Sequence, residues 1–96
     1  MPQGIISGIS AALAFPFGMA QPDLDPLTLR LFVAVCETGN IAGAAEREAL
    51  VASAVSKRIA AVEAAMGTPL LLRGRRGVTP TPAGLALLRQ AREVLE

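Results

Sequence analysis

Residues 40 to 67, NIAGAAEREALVASAVSKRIAAVEAAMG, constrain the fold more than any other stretch of this chain. Apolar side chains recur at helical spacing on both sides of a short interruption: Ile41 and Ala45 before it, then Val55, Ile59, Val62 and Met66 after it. Small residues, Gly43, Ala44, Ala45, Ala52 and Ala54, fall where two helices must approach closely. The pattern predicts a helix-turn-helix, with the remainder of the chain as its support. The second helix of the pair, from about Ala52 to Met66, carries Ser53, Ser56, Lys57 and Arg58 in its first turns. Free amides at a helix start attract phosphate, and polar or basic side chains there are placed as in a helix that reads the major groove of DNA. An amphipathic helix with Val55, Ile59 and Val62 inward and solvated basic residues outward fits the same pattern. Val51 is no cap, and Ser53 would serve as one if the helix started a turn later.

The supports are legible on either side. Asp25 can cap a first helix that has Pro26 at its first position, where a missing N–H costs nothing. Leu27, Leu31 and Val35 with Leu29, Phe32 and Cys36 form a broad apolar face, and Gly39 is a natural stop. Asn40 caps the next helix, Ile41 to about Glu48, on which Glu46, Arg47 and Glu48 are expected to point to water. After Gly67, Leu70-Leu71-Leu72 and Val78-Thr79-Pro80 flank Arg73-Gly74-Arg75-Arg76-Gly77, a hairpin with a basic, glycine-containing tip. Arginines at such a tip can follow a phosphate backbone or lie in a minor groove; a tip that is basic for solubility is the other reading. Thr81-Pro82 then opens a last helix. Leu85, Leu88 and Leu95 form one stripe along it and Leu87, Ala91 and Val94 a second. One stripe can pack on the domain, and the other suggests a partner helix from a second copy.

A chain of 96 residues houses one core. Its net charge of +1 conceals an asymmetry, because from Val51 to Pro80 the charged side chains are Lys57, Arg58, Arg73, Arg75 and Arg76 against Glu63 alone. A basic face on an otherwise balanced chain points to a polyanion. With no histidine, no clustered carboxylates and the single Cys36 in an apolar run, neither an enzyme nor a metal or cofactor site is expected. The lone cysteine also suits a reducing compartment, the cytoplasm. Residues 1–24 are an apolar extension, uncharged as far as Gln21. The extension has the hydrophobic centre of a signal peptide but not its basic start, and Gly8, Pro16 and Gly18 interrupt it. A loosely ordered tail, or translation starting at Met19, accounts for it better. No membrane partner is expected.

From Leu27 to about Leu95 the chain resembles the N-terminal winged helix-turn-helix of LysR-type transcriptional regulators. The resemblance is carried by Leu29-Arg30-Leu31-Phe32-Val33-Ala34-Val35, Thr38-Gly39-Asn40-Ile41 with Ala44-Ala45, and Ala54-Val55-Ser56-Lys57-Arg58-Ile59 with Val62-Glu63 and Gly67. It continues in Pro69-Leu70-Leu71-Leu72-Arg73, Arg76-Gly77-Val78 and Thr81-Pro82-Ala83-Gly84, collinear and without gaps. The resemblance implies a mainly α fold: three helices and a two-stranded wing over residues 25–80, then a linker and dimerisation helix over 81–96. It also implies a dimer on an inverted-repeat operator in double-stranded DNA. Ser53, Ser56, Lys57 and Arg58 become the candidates for groove contact and Arg73, Arg75 and Arg76 for phosphate or minor groove, with Leu85, Leu88 and Leu95 for dimerisation. The family commonly has serine, glutamine and proline where this chain has Val51, Ala52 and Ser53, so a frequent glutamine base contact is missing. Leu71 replaces a usual phenylalanine, and the effector-binding lobes that such regulators carry are not expected here. An alternative function is that of a fragment that pairs with longer relatives through its last helix without holding DNA strongly.

Overall fold

A computed structural model describes residues 24–96; the expectations for the apolar extension lie almost wholly outside these residues. Helix α1, Pro26–Thr38, starts where sequence places it: the Thr28 amide donates to Asp25 Oδ1 at 2.8 Å and Pro26 occupies the first turn. It stops at Gly39, which takes φ 78 and donates its amide to the Val35 carbonyl. Leu29, Leu31, Phe32, Ala34 and Val35 are all buried, so α1 is the central strut against which the other helices and the second wing strand pack. Helix α2, Ile41–Arg47, is capped by the Asn40 side chain, which accepts from the Gly43 amide. Ala44 and Ala45 are its buried face, and their small size lets α2 lie close to α1 and to helix α3, Ala52–Met66.

Helix α3 begins at Ala52 with Val51 as its cap residue and no side-chain cap bond, so Ser53 lies inside the first turn and does not cap. Val55, Ile59 and Val62 are its buried stripe, and Gly67 at φ 69 ends it. Strands β1, Leu71–Gly74, and β2, Gly77–Pro80, pair antiparallel with Leu71 opposite Pro80, Arg73 opposite Val78 and Gly74 opposite Gly77. The tip is therefore the two residues Arg75-Arg76, shorter than the five-residue run the sequence suggests, with Arg73 on the strand itself. Gly77 carries the positive φ of 122, so that neither arginine has to. Leu70, 1 % exposed, sits beneath the hairpin with Leu71 and Val78 as part of the common core.

Helix α4, Pro82–Leu95, is capped by Thr81, whose hydroxyl accepts from the Gly84 amide at 3.0 Å and donates to the Pro69 carbonyl at 2.8 Å. Its stripes divide differently from the sequence expectation. Leu87 and Ala91 are buried and Leu88 and Leu95 are half-buried against the same core, which leaves Leu85 and Val94 as the large exposed apolar side chains of this helix. Cys36 is half-buried, and burial pushes its thiol up to about 11, in keeping with a packing role.

Ion pairs join the elements. Arg30 meets Glu48 at 3.2 Å, while Glu37 on α1 takes Arg47 of α2 at 2.7 Å and Arg92 of α4 at 3.0 Å. Arg47 and Glu48 are thus engaged with α1 and do not simply face water. As surface pairs each contributes little alone, about 0–1 kcal/mol, but the Glu37 carboxylate fixes three helices to one point.

Candidate nucleic-acid interface

A helix that buries Val55, Ile59 and Val62 turns Ser53, Lys57, Ala60 and Ala64 to the opposite side, because those positions recur at three to four residues about half a turn away. All four are exposed. Ser56 lies on one flank and is half-buried. Arg58 lies on the other: its guanidinium donates to Thr28 Oγ1 at 2.9 Å and stands 3.7 Å from Asp25 Oδ2. The sequence groups Arg58 with the outward-facing residues; the structure leans it against the start of α1. The Thr28 amide and hydroxyl, and after them the Arg58 charge, hold the Asp25 carboxyl below its ordinary value. Thr28, Lys57, Arg58, Ala61 and Val62 line a shallow depression at this junction.

The wing supplies the second group of cations. Arg73, Arg75 and Arg76 are exposed, and among the described residues none of them forms a side-chain hydrogen bond or an ion pair. The base of the wing is held firmly while its tip is not. Glu63 Oε2 accepts from the Leu70 amide at 2.8 Å and the Leu71 amide at 3.0 Å, and the Val78 amide donates to the Gly39 carbonyl at 2.8 Å. Glu63 is the lone acid in the basic stretch, and its carboxylate joins α3 to the foot of the hairpin. Sequence reasoning recorded its charge and not this use; an acid four residues before the helix-ending Gly67 was the available signal. The contact between Gly77 and Gly39 was also missed. A Cβ on Gly77 would lie 2.4 Å from the Gly39 carbonyl oxygen, so the wing sits directly on the end of α1.

Ser53 and Lys57 thus share one exposed face, Ser56 and Arg58 border it, and the three wing arginines belong to a separate element anchored to the same helix by Glu63. Leu85, Leu88 and Leu95 lie on α4, apart from the cations in sequence, with Leu85 exposed and the other two half-buried. Among the described residues no group of three or more histidine, cysteine or carboxylate side chains could hold a metal ion, and no helix is long and apolar enough to cross a membrane.

Three helices, a two-stranded wing docked on the first of them and a helix that follows the wing define a winged helix-turn-helix domain. Residues 27–85 match the family described as bacterial regulatory helix-turn-helix protein, lysR family, and the chain belongs to that family. It is 49% identical over 72 residues, 75% of this chain and 27% of the relative, to the HTH-type transcriptional activator AllS of Klebsiella pneumoniae. To the HTH-type transcriptional regulator TcbR of a Pseudomonas species it is 43% identical over 68 residues, 71% of this chain and 23% of the relative. Among solved structures, the CbnR DNA-binding domain in complex with DNA superposes with a TM-score of 0.70 at 39% identity, covering 75% of this chain and 83% of that one. The BenM DNA-binding domain with catB site 1 DNA gives 0.71 at 33% identity, covering 75% and 80%. The chain spans about a quarter of the length of the curated relatives it matches.

Proposed function

We propose that this chain binds double-stranded DNA sequence-specifically as the reading domain of a cytoplasmic transcription regulator, with α3 in the major groove and the wing on the backbone. The observation that carries this reading is the exposed Ser53–Lys57 face of α3 together with three wing arginines that, among the described residues, no acid neutralises. Ser53, Ser56 and Lys57 contact base edges or the phosphates beside them. Arg58, braced by Thr28 and Asp25, reaches the backbone at the flank of the groove, and Arg73, Arg75 and Arg76 take phosphate or the adjoining minor groove. The CbnR and BenM domains among the structural relatives are in complexes with DNA, which supports the DNA-binding part of this reading. Residues 25–80 act as the reader and 81–96 as a linker through which two copies pair. Exposed Leu85 is the centre of that contact, with half-buried Leu88 and Leu95 beside it. A two-fold dimer of such readers requires an inverted-repeat operator.

The test is a salt titration of binding to a mixed-sequence duplex, run beside a variant with Lys57, Arg73, Arg75 and Arg76 all changed to alanine. If each subunit neutralises about three to five phosphates, log affinity falls with log salt by roughly 0.9 per contact, and the variant loses most of that slope. Weak binding of equal slope in both proteins refutes the proposal. That result would favour the other reading, a fragment that pairs with longer relatives through α4, for which exposed Leu85 and Val94 are the supporting observation.

A further inference from the structure

The residue that opens α3 is a valine with no task inside the fold. Val51 is 66% exposed, and at the position where serine, threonine, asparagine or aspartate would accept a hydrogen bond from the helix amides it offers only hydrocarbon. Its backbone is held from both sides. The Leu50 amide donates to the Ala45 carbonyl at 2.9 Å, and Leu50 packs against the core. The Val51 carbonyl accepts from Ala54 at 3.0 Å and Val55 at 3.3 Å. The β-branched side chain has few rotamers of its own, so an isopropyl group is presented in a nearly fixed direction. Ala49 and Ala52 beside it are exposed as well, which makes a small apolar patch at the leading end of the helix, next to Ser53. Ala49 takes φ 58, unusual for a residue with a Cβ, and this bend sets the chain into the patch.

In the major groove the base edges present mainly hydrogen-bonding atoms, and the C5-methyl of thymine is the one methyl group among them. We propose that Val51 is a specificity-determining residue that reads a thymine methyl, with Ala52 completing the contact. The inference rests on the DNA-binding reading and adds the identity of a base to it. A guanine, adenine or cytosine edge pressed against Val51 would lose water from its polar atoms and gain no partner, so the patch selects for thymine by penalty as well as by contact.

The experiment uses the 96-residue chain to recover its tightest duplex from a random-sequence library. Each thymine of that duplex is then replaced in turn by deoxyuridine, which removes the methyl and keeps every hydrogen-bonding atom. The wild-type chain is expected to lose about fourfold in affinity at one thymine of each half-site, the worth of one buried methyl-sized group at ~0.8 kcal/mol. The Val51→Ser variant, which gains a helix cap and so should fold at least as well, should bind the thymine and deoxyuridine duplexes equally while keeping its salt slope. Deoxyuridine that is neutral at every position, or that costs Val51→Ser as much as the wild type, overturns the assignment and leaves DNA binding standing. Failure to enrich any duplex, together with weak and salt-insensitive binding, overturns the DNA reading and the assignment with it.

Discussion

Glu63 offers the sharpest test of how the wing is held, through the substitution Glu63→Ala. One carboxylate oxygen, Oε2, accepts from two amides, those of Leu70 and Leu71, at 2.8 and 3.0 Å. Both residues are almost fully buried, at 1% and 5% exposure, so water has poor access to replace the lost acceptor. A hydrogen bond to a charged group contributes roughly 1.5–3 kcal/mol, and an orphaned buried amide costs about 1–3 kcal/mol. The two bonds share one acceptor and are not additive, which puts the loss at about 2–4 kcal/mol. A domain of this size has a net stability of roughly 4–10 kcal/mol, and each kcal/mol moves its midpoint by about 4–8 °C. The melting temperature should therefore fall by at least about 8 °C, measured by far-ultraviolet circular dichroism, with urea titration giving the free energy. Glu63→Gln keeps a carbonyl oxygen at the same place and should fall between the two. Hydrogen exchange at the Leu70 and Leu71 amides should accelerate in Glu63→Ala beyond the change in global stability. A loss below about 0.5 kcal/mol, typical of a surface site, would show that these amides find other partners and would refute the strap.

Three further outcomes are expected. Gly84→Ala would set a Cβ 2.0 Å from the Leu70 carbonyl oxygen, a backbone atom that cannot swing aside, so it should cost about 1–3 kcal/mol or more in urea unfolding. The pH dependence follows from Glu37, whose carboxyl is held below its ordinary 4.5 by hydrogen bonds from Arg47 and then Arg92. A lowered folded-state value means that the stabilisation is complete above the unfolded-state value and disappears as pH falls through the folded one. Stability should thus decline below about pH 4.5, modestly because the group is exposed, and less steeply in Glu37→Gln and at high salt. Arg58→Ala should weaken binding to a selected operator and to random duplex by similar factors in a fluorescence anisotropy titration, since its guanidinium is turned toward Asp25. Loss confined to the operator would restore Arg58 as a base reader.

The helix ends were legible because their determinants are local. Asp25-Pro26, Asn40 and Thr81-Pro82 each start a helix where the chain itself supplies an acceptor or a preset φ, and Gly39 and Gly67 stop one by taking positive φ. The start of α3 was harder to read because Val51 carries no such marker, and it is fixed instead by Leu50 packing into the core. Pairings across the fold were not legible. Arg58 with Thr28, Arg92 with Glu37, and Glu63 with the foot of the wing join residues whose neighbourhood depends on how the helices cross. The same holds for α4, where two leucine stripes are visible in sequence but the angle of the helix on α1 decides that Leu88 and Leu95 turn inward while Leu85 stays out. Of the candidate interface, the exposed cations of α3 and the wing were found from residue type and spacing, and the bracing of Arg58 required the tertiary structure.

The wing is fastened at its foot, through Glu63 and the Gly39 carbonyl, while the described residues provide no hydrogen bond to the side chains of Arg75 or Arg76. Length and composition of the tip are therefore decoupled from the stability of the domain. Closing a longer loop costs only ~0.6 kcal/mol for each doubling, so residues can be inserted between Gly74 and Gly77 without disturbing the core that carries them. An engineer could graft longer basic or aromatic tips there and change how far the protein reaches along a duplex while α3 and its supports stay as they are.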